Sequence, residues 1–180
     1  MKKYILIAVA VGSVVAGIGV WMKMLKKIDT EPISEITDFL SCEEAGYPIQ
    51  ENAPRVCRTP DGRVFVEEIG NALEKNDRIR LFAPKPNERI TSPLVVRGEA
   101  RGLWYFEASF PLTIRDEQGK ELVRVPVQAR GEWMTDQFVP FAATITFPLS
   151  RARRGTLILE KDNPSGLPAH ADALVIPIRF

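Results

Sequence analysis

The sequence predicts a mainly β protein. A seven-stranded antiparallel β-sandwich occupies residues 77–180, preceded by a small cysteine-paired α+β module at 28–76 and one transmembrane helix within 1–27. Three observations lead there. An uncharged run of nineteen residues extends from Tyr4 to Met22. Formal charge is segregated, at +5 in residues 1–27, −7 in 28–76 and +3 in 77–180, although the 180-residue chain as a whole carries only +1. From residue 77 onward apolar and polar residues alternate with period two, interrupted by proline and glycine.

The run Tyr4–Met22, as a helix, spans about 28 Å, close to the hydrocarbon thickness of a bilayer. Gly12, Gly17 and Gly19 would weaken a soluble helix but are common in membrane helices. Tyr4 and Trp21 stand near the two ends, where interfacial aromatics are found. A retained anchor fits the length best. A cleaved signal peptide, with Val14-Val15-Ala16 as its small-residue site, and a buried soluble helix are the alternatives. Two lysines precede the run and three follow it, so the positive-inside rule does not orient it.

In the acidic segment Ile33, Ile36 and Leu40 recur at helical spacing, and Pro32 suits a first turn, with Thr30 or Glu31 near the cap. Pro60-Asp61-Gly62 is a turn signal, and Arg63–Glu67 alternates as a short strand with Val64 and Val66 on one face and Phe65 on the other. Cys42 and Cys57 are the only cysteines. Their spacing is not that of a redox pair, and a zinc site would need more ligands than two cysteines and one histidine supply. A disulfide is the structural reading. It would staple a module too small to have a secure core, and it argues for an oxidising compartment outside the cytoplasm.

The third segment reads as seven strands. The first is Ile79–Ala83, and the second runs through Leu94–Ala100 with Leu94, Val96, Gly98 and Ala100 on one face. The third covers 104–115, with Trp104, Phe106, Ala108, Phe110, Leu112 and Ile114 inward and Tyr105, Glu107, Ser109, Pro111, Thr113 and Arg115 outward. Asp116–Gly119 turns the chain into a fourth strand with Val123, Val125, Val127 and Ala129 inward. A fifth strand carries Phe141, Ala143, Ile145 and Phe147; the sixth spans Gly155–Lys161 and the seventh Ala173–Phe180. Ten prolines and no helical period across these residues favour a sandwich, with the strand prolines at edges, starts or bulges.

The stretches LVVRGEARGLWYFEASFPLTIRDEQGK, GEWMTDQFVPFAATITF and GTLILEKDNPSG resemble the immunoglobulin-like domain of bacterial sporulation and spore-germination proteins. The resemblance covers about residues 78–180. It implies a non-catalytic, envelope-located immunoglobulin-like sandwich, and leaves open whether spores are involved.

Composition narrows the chemistry. The near-zero net charge argues against a nucleic-acid partner. The lone His170 leaves no second histidine for a metal pair, and no glycine-rich phosphate loop or nucleophile elbow is present. We therefore expect no enzyme activity, no cofactor and no metal. Glu132, Asp136, Asp162 and Asp172 match no calcium-loop spacing. Arg151, Arg153 and Arg154 read as a solvated turn, with contact to anionic envelope polymer or lipid as the alternative. Trp133 and Met134, in a loop, are either a binding anchor or a plug for one end of the sandwich. Glu107 is expected on an outer strand face, pairing with Arg97 or Arg124 or serving binding. Trp133, Met134, Tyr105 and Glu107 are the candidate binding surface. The expected partners are the membrane and an envelope protein or polysaccharide, with the C-terminal domain outside the cytoplasm.

Overall fold

Alternation of apolar and polar side chains from residue 79 onward becomes two antiparallel sheets in the computed structural model, which describes residues 35–180. One sheet contains β4 (Ile79–Ala83), β5 (Leu94–Arg101) and β8 (Phe138–Ile145), in the order β4-β5-β8. The other contains β6 (Ser109–Asp116), β7 (Glu121–Gln128), β9 (Arg154–Glu160) and β10 (Ala173–Arg179), in the order β10-β9-β6-β7. Val96, Ala100, Phe141 and Ile145 from the first sheet meet Phe110, Leu112, Leu157, Leu159, Leu174 and Ile176 from the second in one buried cluster. Phe110 and Phe141 touch edge to face across it, with ring centroids 5.1 Å apart. Burial of these side chains is the dominant favourable term, since no covalent link joins the two sheets.

The described residues hold ten strands in three sheets, seven of them, β4 to β10, in the sandwich. The third sheet, β1-β2-β3, belongs to the acidic segment and is built from β1 (Ile49–Gln50), β2 (Val56–Arg58) and β3 (Val64–Val66). Only β3 was expected. β1 and β2 are too short to show a period. As expected, Phe65 faces inward while Val64 and Val66 are exposed. Of the helix expected around Ile33, Ile36 and Leu40, Ile33 and the first turn at Thr30–Pro32 lie outside the described residues, and among those described the helix begins only after Asp38. It is α1 (Phe39–Glu44), which starts at Asp38 because the Asp38 carboxylate accepts from Ser41 N at 2.8 Å while Asp38 N donates to Ser41 Oγ at 3.0 Å. Cys42 on α1 and Cys57 on β2 form a disulfide, and both are fully buried.

The expected transmembrane run Tyr4–Met22 lies outside the described residues. Among the described residues no helix is long and apolar enough to cross a membrane.

From Thr37 to Phe180 the chain forms one compact unit, so the stapled sheet is held against the sandwich. Arg55 bonds both oxygens of Glu67 at 2.9 Å and reaches Glu43 at 2.8 Å. Asn87, in the β4–β5 loop, donates to the buried Glu67 at 3.2 Å and to the Glu68 carbonyl at 2.7 Å. Arg154 pairs with Asp38 at 2.7 Å, and Arg179 approaches Glu44 at 3.6 Å. All these contacts lie at one end of the sandwich. The chain then runs beside the edge strand β10, where Asn71 accepts from Val175 N and donates to the Ala173 carbonyl. The short helix α2 (Ala72–Lys75) follows and leads into β4 at the other end. Gly70 is required on this path, because a Cβ there would collide with the Val175 carbonyl and its φ is +67°.

Candidate binding end of the sandwich

The end away from the stapled sheet is formed by three loops: 102–108 between β5 and β6, 129–137 between β7 and β8, and 161–172 between β9 and β10. The register places them together, because Arg101 pairs with Phe138, Ser109 with Gln128 and Ala173 with Glu160.

The first loop departs most from expectation. The strand foreseen over 104–115 begins only at Ser109. Residues Gly102–Trp104 form a single 3₁₀ turn, and a two-residue turn follows in which Phe106 N donates to Ser109 O at 2.9 Å and Ser109 N to Phe106 O at 3.0 Å. Its central residues, Glu107 and Ala108, both have positive φ, at 49° and 60°. That is the backbone sign of the tight hairpin turn usually made by Asn-Gly. The inward and outward assignments change accordingly. Trp104 is buried as expected, but so is Tyr105, whereas Phe106 is 42% exposed. Thr113, assigned outward, is fully buried. Glu107 sits exposed on the turn rather than on a strand face. Arg124, one of its expected partners, pairs instead with Glu160 at 2.5 Å.

Tyr105 is a structural residue. Its hydroxyl donates to the Val139 carbonyl at 2.8 Å, and its ring meets Phe110 at 5.2 Å. Burial pushes its phenol well above the ordinary tyrosine range. Trp133 is partly buried and packs against the core, which favours the plug over the anchor for its ring. Met134 beside it is 74% exposed. The two loops touch through backbone, since a Cβ on Gly102 would collide with the carbonyls of Trp133 and Thr135. The four residues singled out from the sequence thus gather at one end, but only Met134 and Glu107 are exposed there. Sequence reasoning missed Leu103, which is 73% exposed, and Leu167 in the third loop, which is 54% exposed. Leu103 falls in the stretch read as the approach to a strand, where Gly102 beside it is the one turn signal.

Beside Leu103 lies an open cavity of about 610 Å³, lined by Trp104, Arg78, Arg101, Lys161 and His170 among others. Arg101 donates to the carbonyls of Asp77 at 3.0 Å and Asp136 at 2.9 Å and stacks on Phe138 at 4.3 Å. Asp172 is engaged by Lys75 and Arg78, each at 2.6 Å, and by Ala173 N. Burial alone would raise the Asp172 carboxyl, but those bonds outweigh it and leave it below the ordinary range. His170 is exposed and bonded to Ser165 Oγ at 3.0 Å. Of the four acids considered for calcium, Glu132 caps Met134 N and Asp172 is spent on cations. Among the described residues no group of acids, histidines or cysteines is placed to hold a metal.

Comparison with known proteins agrees with this architecture. No curated protein and no solved structure matches the chain. A family model does, over the strands and loops from β4 to the third loop of this end. Residues 78–166 match the family model described as an immunoglobulin-like domain of bacterial spore germination.

Proposed function

We propose that this chain is a membrane-anchored envelope protein whose immunoglobulin-like domain binds a partner through the three-loop end. The domain family supports a non-catalytic binding or scaffold role. The anchor is Tyr4–Met22 within residues 1–27, the acidic stapled module is 28–76, and the sandwich is 77–180, held outside the cytoplasm. The buried disulfide supports the oxidising side of the membrane.

The observation that carries the binding reading is the exposure of Leu103, Phe106, Met134 and Leu167 on loops of one end. Exposed apolar side chains with Met and aromatic character, rimmed by charge, mark interaction surfaces. The stapled sheet covers the opposite end, which leaves this one open. Photo-crosslinking in intact cells tests the reading. A reactive residue at position 103 or 134 should give a discrete adduct, and one at Gln118, in the exposed β6–β7 turn, should not. Protease added to spheroplasts should degrade the sandwich while a cytoplasmic control survives. Equal adducts from all three positions, or a protected sandwich, would reject the proposal.

A further inference from the structure

We propose that the β8–β9 loop, residues 146–153, is a membrane-surface contact. Leu149 enters the interfacial layer of an anionic bilayer, and Arg151 and Arg153 hold its lipid phosphates. The proposal concerns the end opposite the three loops, and it rests on the anchor Tyr4–Met22 of the reading above.

Three features carry it. The first is Leu149, which is 94% exposed, more than any other large apolar side chain among the described residues. That exposure is built in, because both feet of the loop are fixed. Phe147 is buried, its N–H donates to Ser92 Oγ at 3.0 Å, and its ring meets Phe180 at 6.2 Å. Phe180 N donates to the Arg153 carbonyl at 3.1 Å, and within the loop Ala152 N donates to Ser150 Oγ at 3.1 Å. The second feature is charge. Arg151 and Arg153 are exposed, neither has an acidic partner among the described residues, and the loop itself carries no acid. An apolar tip beside arginines suits interfacial insertion, in which the apolar group enters the acyl boundary and the cations stay among the headgroups. The third feature is place. Arg154, at the foot of the loop, pairs with Asp38 at 2.7 Å, one residue after the chain enters this compact unit at Thr37. Residues 23–37, between the uncharged run and Asp38, reach at most about 50 Å. The tether therefore keeps this end within reach of the bilayer, and docking of the loop turns the three-loop end away from it.

Neighbouring carboxylates do not cancel the loop. The connections at this end of the sandwich, 84–93, 116–120 and 146–154, hold six cations and three acids. Of those acids, Asp116 accepts from the backbone N–H groups of Gln118 and Lys120, and Glu88 from that of Lys85. The stapled module shares this end and is acidic, so it is no partner for an anionic surface. Its Asp38, Glu43, Glu44 and Glu67 are nonetheless each answered by an arginine: Arg154, Arg55, Arg179 and Arg55 again. The contact is thus confined to the loop. Lipid is favoured over a polyanionic polymer, because a chain of charges offers no apolar layer to Leu149.

The test places the full-length protein in lipid nanodiscs, of phosphatidylcholine alone or with about one third phosphatidylglycerol to supply the anionic surface. An environment-sensitive dye is attached through Leu149→Cys or Met134→Cys, without reductant, so that the buried disulfide stays closed. In anionic discs the dye at 149 should shift to the blue and become shielded from acrylamide. In neutral discs, and at 134 in either disc, it should report water. Arg151→Gln/Arg153→Gln should lower the ratio of docked to undocked loop about thirtyfold, two charges at about 1 kcal/mol each. Thermal melts establish that the variants fold, which three exposed positions favour. A dye at 149 that stays in water in anionic discs, an equal response in neutral discs, an equal response at 134, or no effect of the double variant would overturn the proposal. So would a dye shielded by added polyglycerol phosphate in neutral discs but not by anionic lipid, which would assign the loop to envelope polymer. A protein that does not insert into discs removes the anchor and this contact with it. One that inserts with position 149 in water removes the contact alone.

Discussion

The Tyr105 hydroxyl donates to the Val139 carbonyl at 2.8 Å, tying the turn after β5 to the start of β8. Strict alternation would have sent this side chain to solvent, one step from the buried Trp104. The 3₁₀ turn at Gly102–Trp104 and the reversal at Glu107-Ala108 break the alternation, so both neighbours are buried. Tyr105→Ala should therefore cost about 3–5 kcal/mol, comparable with Trp104→Ala and large against a domain total of about 5–15 kcal/mol. Tyr105→Phe, which keeps the ring and removes only the hydroxyl's hydrogen bond, should cost about 0.5–1.5 kcal/mol. Denaturant melts decide it. A Tyr105→Ala loss within about 0.5 kcal/mol, as for an ordinary surface change, would return Tyr105 to the outer face.

Glycine 102 allows the two exposed loops to meet. Gly102→Ala places a Cβ against two backbone carbonyls that cannot rotate away. The loop 133–136 must shift, at a cost of about 1–3 kcal/mol. Hydrogen exchange should quicken at Thr135 and Gln137 and stay unchanged at Leu157 in β9. Uniform protection across all three would contradict the contact.

The stapled sheet is fastened by charge as well as by sulfur. Glu67 has a side chain only 6% exposed, and Arg55 bonds both its oxygens. Arg55→Met should cost about 3 kcal/mol, because it leaves a buried carboxylate without its cation. Glu67→Gln should cost less, since a neutral amide needs no counter-charge. A larger loss for Glu67→Gln than for Arg55→Met would show that the pair does not act in this way.

Cys42 and Cys57 should resist alkylation until reduced, since both are bonded and fully buried. Replacing both with alanine should cost about 3 kcal/mol in the chain-entropy model. Ready labelling of the native, unreduced protein would refute the bridge.

Acid should loosen the same junction. Bonds from Ser41 and Arg154 hold the Asp38 carboxyl down to about 2, below its unfolded value of 3.8. Burial would raise Glu67, but Arg55 and Asn87 outweigh it and keep it lowered as well. A carboxylate with a depressed folded pKa stabilises the fold fully above its unfolded pKa and ceases to do so as pH falls through the folded value. Stability should therefore fall between the ordinary carboxylate range and about pH 2. Asp38→Asn should flatten that part of the profile in melts taken from pH 5 downward. An unchanged slope would contradict the assignment.

Much of the sandwich was legible because its signal is local. β4 runs over the residues the alternation marked, and β5, β9 and β10 differ from it by a residue or so. The cysteine pair was legible because two cysteines and one histidine left few alternatives. The 102–108 loop was not. Phe106 and Ala108 continue the apolar period without a break, and Glu107-Ala108 lacks the glycine or asparagine that usually marks a backbone of positive φ. The pattern fixes which residues are apolar, whereas tertiary contacts at Val139 and Thr135 decide where the chain turns. The helix start slipped for a similar reason: the Asp38–Ser41 capping box overrode an apolar spacing upstream. The cavity was illegible altogether, since its lining comes from residues 77–78, 101–104, 136 and 161–172, which only the fold brings together.

The central claim is that the three-loop end engages a partner in the envelope. Native electrophoresis of gently solubilised membranes tests it most directly, with the double variant Leu103→Glu/Met134→Glu beside wild type and Phe82→Glu. Phe82 is 47% exposed on β4, outside the three loops. Wild type and Phe82→Glu should migrate together as a complex, and the double variant should run as the free chain with an unchanged melting temperature. A wild-type protein that runs free, or a double variant that stays in the complex, would contradict the account.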